Sequence, residues 1–147
     1  MVKSIAINVT QLAPPPPAPF AVGASTATAG AWTQPGGVYT LTQAADGNQV
    51  TGVLQFTSGE ESFSIVVGLD GANLLAWSDI NTGFAGAAAP ANTILLYGAQ
   101  ADKGIVKAQH RILRIVTSIG NGRVIEVRFT GIAGNAYTAT LTIGSLA

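Results

Sequence analysis

The sequence predicts an all-β fold: an antiparallel sandwich or barrel with at most one or two short helical turns. Three observations lead there. Apolar and polar residues alternate along most of the chain, the pattern of half-buried strands. Short Gly, Asn and Asp clusters separate the alternating runs and offer the positive-φ positions that tight hairpins need. Helical periodicity is thin throughout. A chain of 147 residues is long enough to close one hydrophobic core, so a single domain over residues 1–147 is expected.

Ile5, Ile7 and Val9 alternate with Ser4, Ala6, Asn8 and Thr10 to form the first strand. Ala13-Pro14-Pro15-Pro16-Pro17-Ala18-Pro19 follows. Prolines cannot donate to a ladder, so this stretch reads as extended polyproline II. It is either a stiff connection to Phe20-Ala21-Val22 or a ligand for a proline-recognition domain, and no basic residue flanks it to orient docking. Val38–Thr42, Val53–Thr57, Phe63–Val67 and Ile94–Tyr97 read as further strands. Ile125, Val127 and Phe129 share one face of another. In the last, Tyr137, Ala139, Leu141 and Ile143 point inward while Thr138, Thr140 and Thr142 point out. Such residues suit a pleated, half-buried surface. Turns fall at Asp46-Gly47-Asn48, Gly120-Asn121-Gly122 and Gly134-Asn135. Phe84 to Ala89 is Ala-rich but cut by Pro90, which leaves room for one short turn. Ala101 to Gln109 holds another at most, since Gly104 weakens it.

Composition narrows the function. Nearly half the residues are apolar and only 10% are charged, against about a quarter in an average domain, so disorder is not expected. No apolar run reaches the roughly 20 residues of a membrane-spanning helix. The opening Met1-Val2-Lys3-Ser4-Ile5 lacks a continuous apolar core for a secretory signal, so a cytoplasmic location, or release without a classical signal peptide, is expected. Cysteine is absent, which removes disulfides and thiolate chemistry. Seven acidic and seven basic residues balance, so bulk charge favours neither nucleic acid nor membrane. Their distribution is uneven: Lys103, Lys107, Arg111, Arg114, Arg123 and Arg128 all lie beyond Asp102. That reads as a solvated or subunit-facing sheet surface; an anion-binding face lacks the aromatic interleaving that nucleic acid would call for.

Catalytic groups are scarce. His110 is the only imidazole, so no zinc site of ordinary composition can form. Asp70-Gly71-Ala72-Asn73 is too sparse for a calcium loop. Glu60 and Glu61 are adjacent and would point to opposite faces of a strand. No glycine-rich turn has the form of a phosphate loop. The chain is therefore not expected to be an enzyme or to carry a metal or cofactor. Binding asks for less: a few fixed polar groups and an apolar surface for the C–H face of a sugar ring. Trp77-Ser78-Asp79-Ile80-Asn81-Thr82 combines an aromatic, a carboxylate, hydroxyls and an amide. Read differently, Trp77 is a core residue followed by an Asp that caps a turn.

Gly30-Ala31-Trp32-Thr33, Gly37–Thr42, Thr51–Phe56, Glu61-Ser62-Phe63 and Trp77–Ile80 together resemble the fungal fruit-body lectin family. The opening strand Ile5–Gln11, Gly122-Arg123 and Leu141–Gly144 fit the same resemblance, in order along nearly the whole chain. The resemblance implies an actinoporin-like β-sandwich assembled as a homotetramer. It also implies two sugar sites in each subunit, for glycans of glycoproteins or glycolipids. A site for terminal N-acetylglucosamine would use Asp79, Ile80 and Thr82, with Lys103 where the family more often has Arg and Arg114 where it has Tyr. A site for Galβ1-3GalNAc, the T-antigen disaccharide, would use Ala27, Asp46, Gly47 and Asn73. There Asp46 stands for a family Ser, and the loops through Val50 and from Asp70 to Ala76 are longer. Ser78 stands where the family has a cysteine. The first site is thus expected to keep its form and the second to have altered specificity. Two alternatives remain: a membrane-active protein on the actinoporin-like fold, and an assembly module that binds no sugar.

Overall fold

The computed structural model describes residues 2–11, 20–45, 50–58, 61–70, 75–81, 90, 114–119 and 123–145. Its strands are β1 (Ser4–Gln11), β2 (Ala21–Thr28), β3 (Gly30–Thr33), β4 (Tyr39–Gln43) and β5 (Val50–Ser58). They continue with β6 (Glu61–Asp70), β7 (Leu75–Asn81), β8 (Arg114–Ile119), β9 (Arg123–Ala133) and β10 (Ala136–Ser145). A larger sheet has the order β3-β4-β1-β10-β9-β8, and a smaller one the order β2-β5-β6-β7. The chain crosses between sheets repeatedly: β1 in the larger, β2 in the smaller, β3 and β4 back, β5 to β7 across again, then β8 to β10.

Among the described residues all pairings are antiparallel except one. β1 runs parallel to β10 from Ser4↔Ala136 to Gln11↔Ile143, while β4 flanks its other side antiparallel. Parallel neighbours need a long crossover, and here the rest of the chain supplies it. The all-β sandwich expected from the period-two pattern is thus found, with a parallel centre to the larger sheet that alternation alone does not reveal.

The core lies between the sheets. Ile5, Ile7, Leu41, Ile125, Val127, Ala139 and Leu141 face it from the larger sheet. Val50, Leu54, Phe56, Phe63, Ile65, Val67 and Leu69 face it from the smaller one. An aromatic chain threads through it. Phe20 meets Phe63 edge-on at 5.3 Å, Phe63 stacks on Phe56 at 5.3 Å, and Tyr39 meets Phe56 edge-on at 6.1 Å. Such pairs add about 0.5–1.5 kcal/mol each beyond burial alone.

The smaller sheet is buried on both faces. Val53, Gln55, Ser64, Val66 and Trp77 turn away from the larger sheet yet are as buried as the core. The double burial exceeds the half-buried strands that alternation in β5 and β6 predicts, and it accounts for adjacent apolar pairs such as Val53-Leu54 and Val66-Val67. The two tryptophans of the chain both rest on glycines of these strands. The Trp32 ring lies against Gly52, and the Trp77 ring against Gly68. A Cβ at Gly68 would stand 2.6 Å from the indole, and one at Gly52 equally close.

Four strands escape the sequence reading. β2 is Ala-Val-Gly-Ala-Ser-Thr-Ala-Thr and has almost no large apolar residue to betray its period. β3 is only four residues long. β7 was read as a binding segment or turn, and β8 holds adjacent Ile115 and Val116 that blur the alternation. The 3₁₀ turn at Pro35–Gly37, with Gly36 at φ 59°, was not anticipated either. Gly134 does turn at φ 61° as expected. Strand Ile94–Tyr97, the turns at 46–48 and 120–122, and the helical stretches 84–89 and 101–109 lie outside the described residues; Pro90 alone is described, helical and buried. The ends of the proline-rich stretch, itself outside the described residues, are tied together. The Gln11 side chain accepts from the Phe20 amide at 2.9 Å and donates to the Phe20 carbonyl at 2.8 Å.

Gly68→Ala is expected to cost about 1–3 kcal/mol, as overpacking does, seen as a lower urea midpoint at unchanged slope. Gly131→Ala places its methyl where nothing lies within 4 Å and should stay within about 0.5 kcal/mol of the parent. Equal midpoints for the two variants would show that the indole yields freely.

Candidate functional site

Among the described residues β7 is the last strand of the smaller sheet, and alternation sorts its residues. Trp77 and Asp79 pair with Gly68 and Val66 on the outward face, while Ser78 and Ile80 pair with Val67 and Ile65 on the core face. Trp77 is only 3% exposed, pressed over Gly68, so it is a packing residue and not a stacking platform for a ligand. The reading of Asp79 as a turn cap fails as well, because Asp79 lies inside a strand.

Asp79 is half-buried, and its Oδ1 accepts the Ile80 amide at 2.8 Å. This bond fixes the carboxylate against the strand edge. The half-buried Ile80 side chain packs on the core with one part and keeps the rest accessible. Arg114 opens β8, the last strand of the larger sheet among the described residues, in register with Arg128 on β9. β7 runs close to β8 and β9, so Asp79, Ile80 and Arg114 belong to strands at one margin of the sandwich. Thr82 and Lys103 lie outside the described residues.

Ala27 is on β2, the opposite edge of the smaller sheet, paired with Gly52 and half-buried against the core. Its companions Asp46, Gly47 and Asn73 lie outside the described residues. Among the described residues, Ala27 of one set and Asp79 of the other thus lie on opposite outer strands of the smaller sheet. Sequence reasoning missed a third feature: a cleft of about 260 Å³ bordered by Trp32 and Tyr39. Trp32 entered the sequence reading only as part of a family pattern, since period-two analysis cannot show that strands from two sheets leave a gap. No group of three or more His, Cys, Asp or Glu able to hold a metal occurs among the described residues.

A model of the fungal fruit body lectins matches residues 22–141. Two crystal structures of the Xerocomus chrysenteron lectin are similar in fold. The wild type has a TM-score of 0.72 at 26% identity, covering 97% of this chain and 99% of that one. A triple methionine variant has a TM-score of 0.75 at 22% identity, covering 97% and 98%. Among curated protein sequences none matches the chain. A sandwich of this topology, with polar groups fixed at its sheet edges, is that of a β-sandwich lectin, a carbohydrate-binding protein. The chain belongs to the fungal fruit body lectin family.

Ser78, where the family resemblance places a cysteine, is fully buried at 0% exposure. Its hydroxyl has no hydrogen-bond partner among the described residues, and an unmet buried hydroxyl costs about 1–3 kcal/mol. Ser78→Cys, with a weaker donor that behaves as a small apolar group, is expected to raise the thermal midpoint. A lower midpoint would mean that the hydroxyl is satisfied after all.

Proposed function

We propose that the protein is a multivalent lectin that binds N-acetylglucosamine-terminated glycans of glycoproteins or glycolipids at the β7 edge. The observation that carries this reading is the Asp79 carboxylate, oriented by the Ile80 amide on an edge strand within a chain of this family. A carboxylate accepts from sugar hydroxyls about twice as strongly as a neutral acceptor. Thr82, Lys103 and Arg114 complete the site in this proposal. A second site, with Ala27, Asp46, Gly47 and Asn73, takes Galβ1-3GalNAc-type O-glycans with altered specificity. Its separation from the first is supported by Ala27 and Asp79 lying on opposite edges of the smaller sheet. A homotetramer multiplies such shallow sites, and linkage raises avidity by about 10² or more where the geometry allows simultaneous contact.

The membrane-active alternative gains no support. It needs an N-terminal segment that detaches, whereas β1 is held between β10 and β4 in the middle of the larger sheet. No helix among the described residues is long and apolar enough to cross a membrane.

Asp79→Ala should abolish binding to N-acetylglucosamine in calorimetry while the protein stays folded. Unchanged binding by the folded variant would remove the β7 edge from consideration. A glycan array with free N-acetylglucosamine and Galβ1-3GalNAc as competitors tests the whole reading, and a blank array from folded protein would favour a pure assembly module.

A further inference from the structure

The cleft at the far edge of the sandwich lies between β2 of the smaller sheet and the β3–β4 hairpin of the larger one. Val22 and Leu54 line its apolar part, Trp32 and Tyr39 are its aromatics, and Ser25, Thr33 and Gln34 supply hydroxyls and an amide. Ser25, Thr33 and Gln34 are exposed, while Trp32 and Tyr39 are half-buried.

Three features build it. The register of β2 slips at Gly23, between Val22 and Ala24. In a regular strand, residues three apart face opposite ways. The extra residue instead sets Val22 opposite Phe56 and Ser25 opposite Leu54, both on the face toward the core. Bulges of this kind re-aim side chains and recur beside functional sites. Second, the Trp32 indole cannot swing. Its Nε1–H donates to the Thr26 carbonyl at 2.9 Å, and its ring is seated on Gly52. Third, Tyr39 is braced edge-on by Phe56. The aromatics are thus fixed before any ligand arrives, which removes an ordering cost from binding.

Among the described residues the lining carries no charge, which argues against a phosphate, a cation or an acidic peptide. At about 260 Å³ it falls just below the range that encloses drug-sized molecules, which suits one small ring. Rigid aromatics beside hydroxyl and amide groups match a neutral polyhydroxylated ring, whose C–H face rests on the π-system while its hydroxyls meet the rim. We infer that this cleft is an additional carbohydrate subsite, taking a single neutral pyranose ring. It differs from both sites proposed above: β7 is the opposite edge of the sheet, and Ala27 does not line the cleft.

The two tryptophans make the test direct, because Trp32 borders the cleft and Trp77 lies next to Ser78 and Asp79 on β7. Full-length protein labelled at the indole nitrogens is titrated with methyl β-galactoside, methyl β-glucoside and N-acetylglucosamine, each to tens of millimolar. The expected result is a saturable shift of the Trp32 indole resonance with at least one of them, persisting in Asp79→Ala. Gln34→Ala should weaken that response about five-fold, the effect of one neutral hydrogen bond. Ser25→Trp, an exposed substitution that fills the cleft, should abolish it while the spectrum stays folded. A Trp32 resonance that moves with none of the sugars overturns the inference, as does one that moves equally in Ser25→Trp. Movement of Trp77 alone would overturn the subsite while leaving the β7 reading intact.

Discussion

Trp32 is the point on which the sandwich closes. Its backbone belongs to β3 of the larger sheet, its ring rests on Gly52 of the smaller sheet, and its indole N–H reaches the Thr26 carbonyl on β2. One side chain therefore spans the interior at the edge where the chain leaves β2 at Ala29, with φ 61°, and turns into β3. The contact requires a glycine, because a methyl at position 52 would occupy the place of the ring. Trp77 over Gly68 repeats the arrangement on the other face of the same sheet. Together they hold β5 and β6 between two indoles and explain why the middle of the smaller sheet carries small residues where strand propensity favours large ones.

That constraint sends binding to the margins. β5 and β6 are buried on both faces and offer a ligand nothing. Outer strands keep side chains partly in water, and among the described residues β2 and β7 are the outer strands of the smaller sheet, where polar groups can be both fixed and reachable. Asp79 illustrates the compromise. Trp77, two residues before it, anchors the strand by burial, and the Ile80 amide holds the carboxylate still. The chemistry of the edge is thus inherited from the packing of the centre.

Much of the fold was legible because its signal is local. Ile5, Ile7 and Val9, or Tyr137, Ala139, Leu141 and Ile143, announce their strands through a period of two, and their burial follows it. β2 was not legible, since small residues satisfy an edge strand without displaying a period. The parallel pairing of β1 with β10 was hidden because it joins segments more than a hundred residues apart, and no local pattern encodes a distant partner. The site was legible only in its chemistry. A carboxylate, hydroxyls and an amide in sequence marked Trp77–Thr82, but the pattern could not show that Trp77 faces Gly68 while Ile80 turns to the core. Those assignments depend on which face the neighbouring strand buries, and a one-residue change of register would reverse them.

The same logic bears on how strongly such a protein can bind. Sites on rigid edges are preformed, so little ordering entropy is lost on association, but they are also shallow and leave much of a sugar hydrated. Deepening them would require parting the sheets, and Trp32, Gly52 and the Phe20–Phe63–Phe56–Tyr39 chain resist that. Affinity for a glycan-coated surface then has to come from repetition and not from depth. Each rigid edge adds a weak contact, and contacts displayed on one stiff body reinforce one another when their spacing matches that of the glycans.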